Sequence, residues 1–274
     1  MKLEINIGDD TYQADLSQQQ SIAITLLPNG DQPSHFGVAA CTSETIVEGD
    51  FIGDTNRGGS CNCNLLTLTP HCNGTHTESI AHVVNQDFPV YNAIDESLFP
   101  TVLVSIDAKI ASKVDEKYFP SMDSDNRVVT RSQLETSLAN YSDQQLVGLA
   151  VRTLPNPSSK KSAVYDTNNY PIYFTNDAMN YIYARGVKHL MVDFPSVDKM
   201  YDDGELSNHR IFWNVELGNV ELDSNAQTNK TISEMIYAAP SIEDGFYICN
   251  LQIPEIDTDA VPSRPVLFKL NKQD

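Results

Sequence analysis

Apolar and polar residues alternate along the start of the chain. "KLEINI" and "YQADL" keep a period of two on either side of Gly8-Asp9-Asp10, which predicts an N-terminal β-hairpin. "SIAITLL" (residues 21–27) predicts a third strand that ends at Pro28-Asn29-Gly30, and "NLLTLTP" (residues 64–70) predicts another short strand. We therefore expect the first quarter of the chain to be mostly β-structure.

Continuous apolar runs replace this alternation further along the chain. "TVLVSID" (residues 101–107), "QLVGLAVRTL" (residues 145–154) and "VKHLMVDF" (residues 187–194) are apolar enough to be strands that are buried on both faces. Strands of this kind are typical of sheets covered by helices. The pattern predicts one α/β domain with a mixed sheet over residues 1–274, without an internal repeat or an interdomain linker.

Two helices are predicted between these strands. "RSQLETSLAN" (residues 131–140) begins with Ser132 and Glu135 at the spacing of a capping box. "TNDAMNYIYARG" has an apolar stripe that ends at Gly186, a residue suited to the end of a helix. We interpret the stripe as core packing; its residues are Ala178, Met179, Ile182 and Tyr183.

The charge of the chain limits its possible partners. With 18 Lys and Arg against 37 Asp and Glu, the formal net charge is −19, which opposes attraction to nucleic acid phosphates or to an anionic membrane. The start, "MKLEINIGDDTYQADL", lacks the features of a signal peptide, and no apolar run is long enough to span a membrane. We expect a cytoplasmic protein that binds a small molecule. The odd number of cysteines, five, argues against a disulfide framework.

Candidate chemistry is concentrated in "PHCNGTHTESIAH" (residues 70–82), which holds three of the six histidines of the chain. Imidazole nitrogens with a carboxylate are ligands that divalent transition metals prefer. His76, Glu78 and His82 would lie on one side of an extended segment; if the chain turns helical after Glu78, then Glu78 and His82 are neighbours instead. The alternative is a polar loop whose histidines bind backbone groups.

The same stretch resembles the H-x-G-T-H-x-D-x-x-x-H signature of the cyclase family of metal-dependent hydrolases, which includes bacterial kynurenine formamidases. Gly74, Thr75, His76 and His82 match, and Glu78 takes the aspartate position. Four later segments are similar to the family in the same order: "GVKHLMVDFPSVDK", "NHRIFW", "ISEMI" and "DAVPSRPVLF". The resemblance implies a swivelling β/β/α architecture and, by analogy, a homodimer or homotetramer.

Carried over residue by residue, the resemblance implies a mononuclear or binuclear zinc or manganese site. His76 and Glu78 would be ligands, with Glu78 able to bridge two metals, and His209 and Glu234 would complete the site. His82 would be the general acid and base. The implied reaction is hydrolysis of a formamide, amide, or cyclic amide or ester, as in an arylformamidase.

The sequence departs from the family in three places. In strict register the first histidine falls on Cys72, with His71 one residue earlier; we favour His71 as the ligand, because a carboxylate-rich site suits imidazole. Glu78 is longer than aspartate by one methylene. The segment between His209 and Glu234 includes "ELGNVELDSNAQTNK", which is longer than expected and could reshape the substrate pocket.

These departures leave an alternative function open, a catalytically inactive member that binds a metal and a small carboxylate ligand. Outside the motif we expect His35, beside Phe36, on an exposed loop, with a position in the pocket lining as the alternative, and we expect His189 to be a hydrogen-bonded strand residue. Asp193, Ser196 and Asp198 are expected to organise a turn behind the site.

Overall fold

The computed structural model describes residues 1–273. The strands of the described residues are β1 (Lys2–Ile7), β2 (Asp10–Asp15), β3 (Gln20–Ser21), β4 (Ser34–His35), β5 (Thr42–Thr45), β6 (Val47–Glu48), β7 (Phe51–Ile52), β8 (Asn64–Thr67), β9 (His76–Glu78), β10 (Leu98–Asp107), β11 (Lys109–Ile110), β12 (Arg127–Val129), β13 (Gly148–Leu154), β14 (Val164–Tyr165), β15 (Tyr173–Phe174), β16 (His189–Val192), β17 (Thr231–Glu234), β18 (Gly245–Asn250), β19 (Ala260–Pro262), β20 (Val266–Lys269) and β21 (Asn271–Lys272). The largest sheet has the strand order β19-β9-β17-β16-β13-β10-β18-β20-β3.

Parallel pairing dominates the centre of this sheet. Strands β10, β13, β16 and β17 run parallel, whereas β9 is antiparallel to both of its neighbours, β17 and β19. The α-helices of the described residues are α1 (Arg131–Ser137), α2 (Asn176–Ala184) and α3 (Ser207–Trp213). The sheet is therefore mixed and the domain is α/β, as the sequence predicts. None of the described helices is long and apolar enough to cross a membrane.

The central strands are buried on both faces because their alternate residues belong to two different cores. Val102 and Val104 of β10 pack with the helices, whereas Leu103 between them packs in the core of the opposite face. Continuous apolar runs are the sequence signature of this arrangement. The predictions of strands at residues 101–107, 145–154 and 187–194 are confirmed.

The N-terminal hairpin is confirmed as well, since β1 pairs with β2 from Lys2↔Asp15 to Ile7↔Asp10. The prediction of a regular strand over residues 21–27 is wrong. Ile22 and Ile24 are buried as an alternating pattern requires, but the backbone bonds of this segment go to separate partners, Pro265 and the Thr75 side chain. No single neighbouring strand continues along it.

The N-cap of helix α1 lies two residues earlier than the predicted cap, Ser132. Thr130 is the N-cap and Gln133 completes the capping box; Ser132 lies within the first turn instead. Helix α2 follows the prediction, with Ala178, Met179 and Ile182 buried and Gly186 in the left-handed region at its end.

His189 at the start of β16 is the hydrogen-bonded strand residue that the sequence predicts. Its ring stacks on Phe99, and its Nδ1 lies 2.9 Å from the Thr231 hydroxyl. Burial lowers the pKa of His189 to about 3, from an ordinary value of 6.5. Because the folded state favours the neutral ring, this contribution to stability is complete above pH 6.5 and is lost as the pH falls below it.

We expect wild-type protein to lose about 2 kcal/mol more of its free energy of unfolding between pH 7 and pH 5 than a His189→Phe variant loses. The unfolded imidazole takes up a proton over this range, and the buried one does not. Urea denaturation of both proteins at the two pH values measures the difference. Equal losses would contradict the assignment of a neutral His189.

Candidate metal centre

Strand β9 carries the middle of the histidine-rich stretch. His76 and Glu78 share one face of the strand, while Thr77 faces the other way and bonds the hydroxyls of Ser233 and Ser263. His76 and Glu78 are both fully buried. The period of two that the sequence suggests thus places an imidazole and a carboxylate side by side.

The chain turns after Glu78 and brings His82 back to the same region. Ser79 caps a short 3-10 helix (Ile80–His82), and its side chain accepts a hydrogen bond from the backbone of Ala81. His82 is partly exposed, and its ring stacks on His71 with the ring centres 4.2 Å apart. Of the two geometries left open by the sequence, extended and helical, the chain uses one on each side of Ser79.

The turn before β9 brings the side chain of His71 next to Glu78. His71 Nδ1 lies 2.8 Å from Glu78 Oε2. Cys72 is buried, and its thiol belongs to none of the clusters among the described residues that could hold a metal. Gly74 follows with φ +95°, a conformation that favours glycine, and its carbonyl accepts a hydrogen bond from His76 Nδ1.

Glu234 comes from the end of β17, the strand next to β9. The register pairs Glu234 with His76, so that Glu234 Oε2 and His76 Nε2 are 3.5 Å apart. The next residue, Met235, has φ +52°, an uncommon conformation for a bulky residue. The Thr75 hydroxyl holds it there by donating to the Met235 carbonyl at 2.5 Å. Backbone strain of this kind often marks a functional site.

His209 comes from helix α3 and completes the cluster. Its Nε2 lies 2.9 Å from Glu78 Oε1 and 3.6 Å from Glu234 Oε1. Each carboxylate therefore spans two groups of histidines, with one oxygen near His209 and the other near His76. The structure brings together all six site residues predicted from the sequence: His71, His76, Glu78, His82, His209 and Glu234.

The ligand atoms form three overlapping clusters that could each hold a cation. One cluster consists of His71, His76 and Glu78, a second of Glu78, His82 and His209, and a third, partly exposed, of His71, His82 and Asp259. In each, the potential ligand atoms lie within 4.8 Å of one another. Glu78 belongs to the first two, so that one carboxylate connects the two buried histidines, His76 and His209.

The orientation of three imidazoles fits a metal well. His71 Nε2 donates to Asp259, His76 Nδ1 to the Gly74 carbonyl and His209 Nδ1 to Asp198. In each ring the second nitrogen faces the carboxylates. Anchoring of one ring nitrogen by an oxygen is typical of metal-binding histidines, because it fixes the tautomer and the ring plane.

Two buried atoms at the centre support the same conclusion. His76 Nε2 and Glu78 Oε2 have no well-directed hydrogen bond within residues 1–273, although His71 Nδ1 lies close to this oxygen. Lone pairs that approach one another without aligning are expected where they share a cation. Neither Glu78 nor Glu234 pairs with a lysine or arginine among the described residues, and buried charges without partners are costly.

The carboxylates and imidazoles strongly perturb one another. Burial lowers the pKa of His71, but the carboxylates of Asp259 and Glu78 outweigh it and raise the pKa to about 10. Burial likewise disfavours charge on His209, whose pKa is nevertheless raised well above its ordinary value by Glu78 and Asp198. Burial also opposes charge on Glu78, yet the surrounding histidines hold its pKa well below the usual range. The carboxylates thus stabilise positive charge at this centre.

Asp259 is a site residue that the sequence does not reveal. It precedes β19, beside β9, and its Oδ2 lies 2.9 Å from His71 Nε2 and 3.5 Å from His82 Nδ1. Hydrogen bonds to these histidines hold the pKa of the Asp259 carboxyl far below the usual range, and the bond to His71 has the larger effect. In the segment "DAVPSRPVLF", which resembles the family, it is the first residue, Asp259, that reaches the centre, while Arg264 is exposed. A useful signal, an acid just before a strand, is too common to single out Asp259.

Asp198 has a more direct role than the predicted turn behind the site. Its carboxylate accepts hydrogen bonds from the backbone of Asn208 and His209, from His209 Nδ1 at 2.6 Å, and from the Tyr118 hydroxyl. It therefore fixes both helix α3 and the ring of His209. Asp193, by contrast, bonds Thr153 and Lys160.

We expect Asp198→Asn to lower the affinity for a divalent metal about 10–100-fold, the usual effect of removing a group that orients a ligand. Tyr118→Phe is the control, because it removes one hydrogen bond to Asp198 and leaves the contact with His209. Competition with a chromophoric chelator measures both affinities. An unchanged affinity in Asp198→Asn would contradict a ligand role for His209.

The long segment between His209 and Glu234 covers the chain beyond His82. Val220 accepts a backbone hydrogen bond from Asn85, and the Gln86 side chain bonds Glu221 and Leu222. The segment thus packs close to the site, as its position between two predicted ligands suggested. His35, expected on an exposed loop, is instead buried in β4.

Comparison with protein families gives one clear match. The family model described as "Putative cyclase" matches residues 12–199, which is more than half of the chain. No curated protein sequence matches the chain.

Solved structures with the same fold cover nearly the whole chain. A "predicted metal-dependent hydrolase" from Bacillus stearothermophilus has a TM-score of 0.57 at 14% identity, covering 92% of this chain and 98% of that protein. Isatin hydrolase A from Labrenzia aggregata has a TM-score of 0.58 at 13% identity, covering 92% and 93%. Isatin hydrolase A from Ralstonia solanacearum has a TM-score of 0.55 at 15% identity, covering 92% and 91%. At these identities the likeness concerns the fold.

Proposed function

The chain belongs to the putative cyclase family, and from this premise we propose that it is a metal-dependent hydrolase that cleaves a formamide, amide, or cyclic amide or ester bond. The observation that carries the proposal is the cluster of His71, His76, His209 and two buried glutamates, in which each ring is anchored by an oxygen through one nitrogen and faces a glutamate through the other. A polar loop whose histidines bind backbone groups, the alternative that the sequence left open, does not account for the buried glutamates at the second nitrogen of each ring.

We assign the metal ligands from the two clusters that share Glu78. His71 and His76 would hold a divalent cation on one side and His209 on the other, with Glu78 and Glu234 reaching both sides. Nitrogen and carboxylate donors suit zinc or manganese. When bound, such a metal makes water nucleophilic at neutral pH and polarises a carbonyl group.

We assign the proton transfer to His82. Its side chain is 27% exposed and that of His71 is 24% exposed, whereas His76 and His209 are buried. With His71 assigned to the metal, His82 is the accessible histidine that is left to exchange protons with a substrate or solvent. The Asp259 carboxylate lies 3.5 Å from His82 Nδ1, where it can orient the ring. His82 would take a proton from the attacking water and return it to the leaving nitrogen or oxygen, a role worth about 10²–10⁴-fold in rate.

The bond that is cleaved is proposed from chemistry shared by the relatives. Two of the similar structures are isatin hydrolases, and isatin contains a cyclic amide. A cyclic amide and an N-formyl aromatic amine both present a carbonyl attached to nitrogen, so one site of this kind could attack either. The arylformamidase reaction predicted from the sequence remains one member of this class.

A substrate panel tests the proposal against the inactive binding protein. Zinc-loaded and manganese-loaded protein would be assayed with N-formylaniline, isatin and δ-valerolactone, which represent the three bond types. We expect metal-dependent turnover of at least one compound. Stoichiometric metal uptake with no turnover of any panel member would favour the carboxylate-binding alternative, to which the longer side chain of Glu78 in the aspartate position lends some support.

A further inference from the structure

His35 is a buried histidine outside the motif, and its ring is only 2% exposed. Neither Nδ1 nor Nε2 has a hydrogen-bond partner within residues 1–273. A buried polar group without a partner destabilises the folded state, and a neutral imidazole carries both a donor and an acceptor. The fold therefore bears a cost at His35 that packing alone does not explain.

Two contacts place the segment around His35 against the turn that leads into the metal centre. Pro33 packs over Gly74, where an added Cβ would come within 3.9 Å of Pro33 Cγ. The Asn73 side chain donates to the Ala39 carbonyl, which ties the same segment to the turn before β9. Burial lowers the pKa of His35 to about 4, although the negative charge of Glu234 opposes this. His35 is therefore neutral at pH 7, and its segment packs against the turn that precedes His76.

Phe36, the residue after His35, has a strained backbone conformation, and its ring lies against the ring of His35. Phe36 has φ +55°, a rare conformation for an aromatic residue, and its side chain is 52% exposed. The two ring centres of His35 and Phe36 are 3.9 Å apart. Strand β4, which contains His35, pairs with β14 in the register Tyr165↔His35. Tyr165 lines a cavity of about 430 Å³, the size of a small-molecule pocket.

We propose that His35 is a substrate-binding residue, whose ring N–H donates a hydrogen bond to a carbonyl or carboxylate oxygen of the molecule held at the metal centre. The proposal rests on the proposed function, since every bond of the predicted class has a carbonyl oxygen and its hydrolysis yields a carboxylate. Phe36 closes over the ring and excludes water from that hydrogen bond. The energetic cost of the unpaired ring nitrogens is recovered when the ligand binds.

The test separates binding from folding. His35→Phe removes both polar atoms and keeps an aromatic ring, so that its melting temperature should equal or exceed that of the wild type. Its affinity for benzoate, measured by calorimetry on metal-loaded protein, should fall about tenfold, and KM for a hydrolysed panel compound should rise more than kcat falls. His189→Phe, which replaces a buried histidine at the opposite end of β16, is the control for benzoate affinity and should bind as the wild type does.

Two results would overturn the proposal: equal benzoate affinity in His35→Phe and wild type, whatever the melting temperature of the variant, or no benzoate binding by wild-type protein. A second variant, His35→Asn, keeps a donor and should retain more affinity than His35→Phe. Metal uptake and turnover by wild-type protein are measured separately. The proposed function can therefore stand where the role of His35 fails.

Discussion

Glu78→Gln is expected to lower the affinity for zinc or manganese by more than about 100-fold, beyond the range typical of residues that only orient a ligand. Glu78 is fully buried, and its two oxygens face His71 and His209 separately. The amide has nearly the same shape but carries no charge, and only one of its two ends can donate a lone pair to a cation. Both halves of the cluster lose a ligand, and hydrolysis should fall with the metal content.

Glu255→Gln, on the exposed surface, is the matched control and should bind metal as the wild type does. Metal content after dialysis, determined by mass spectrometry, and the melting temperature would be measured for each protein. A folded Glu78→Gln variant that retains stoichiometric metal would contradict the assignment of Glu78 as the shared ligand.

His82→Ala is expected to reduce kcat about 10²–10⁴-fold, the range for loss of a general acid or base, while the metal content stays the same. His82 lies at the partly exposed rim of the cluster, and Asp259 lies beside its Nδ1. The remaining imidazoles and carboxylates are sufficient to hold a cation. The decisive quantity is therefore kcat per bound metal.

Asp259→Asn is a useful companion variant, because it keeps His82 and removes the carboxylate beside its Nδ1. We expect a smaller loss of kcat than in His82→Ala. Undiminished hydrolysis by His82→Ala would contradict the role of His82 in proton transfer. Loss of metal in that variant would contradict it too, and would make His82 a ligand, as its position in the second cluster allows.

The local chemistry of the site was accessible from the sequence because it depends on short spacings. His76 and Glu78 share a face for the same reason that any residues two apart in a strand do, and Gly74 adopts the positive φ that its turn requires. His209 and Glu234 were predicted only through the resemblance to a family. Their spacing of 25 residues has no physical meaning until β17 pairs with β9.

Residues whose roles depend on distant pairing could not be predicted in this way. Asp259 reaches His71 only because β19 pairs with β9 across 182 residues in the register Ala260↔Glu78, which no local pattern reveals. His35 was expected on an exposed loop, since a two-residue strand bounded by turns has no periodicity. The predicted homodimer or homotetramer also remains a prediction, as an oligomer depends on surfaces that the chain alone does not pair.

The central claim is that hydrolysis requires a divalent metal held by the buried histidine and glutamate cluster, and a metal titration of chelator-treated protein tests it most directly. Metal uptake and the rate of hydrolysis of the best panel substrate would be followed in the same samples. We expect activity to be absent without metal and to rise in proportion to bound metal until the cluster is saturated. Hydrolysis that persists in metal-free protein, or protein that takes up no zinc or manganese, would contradict the account.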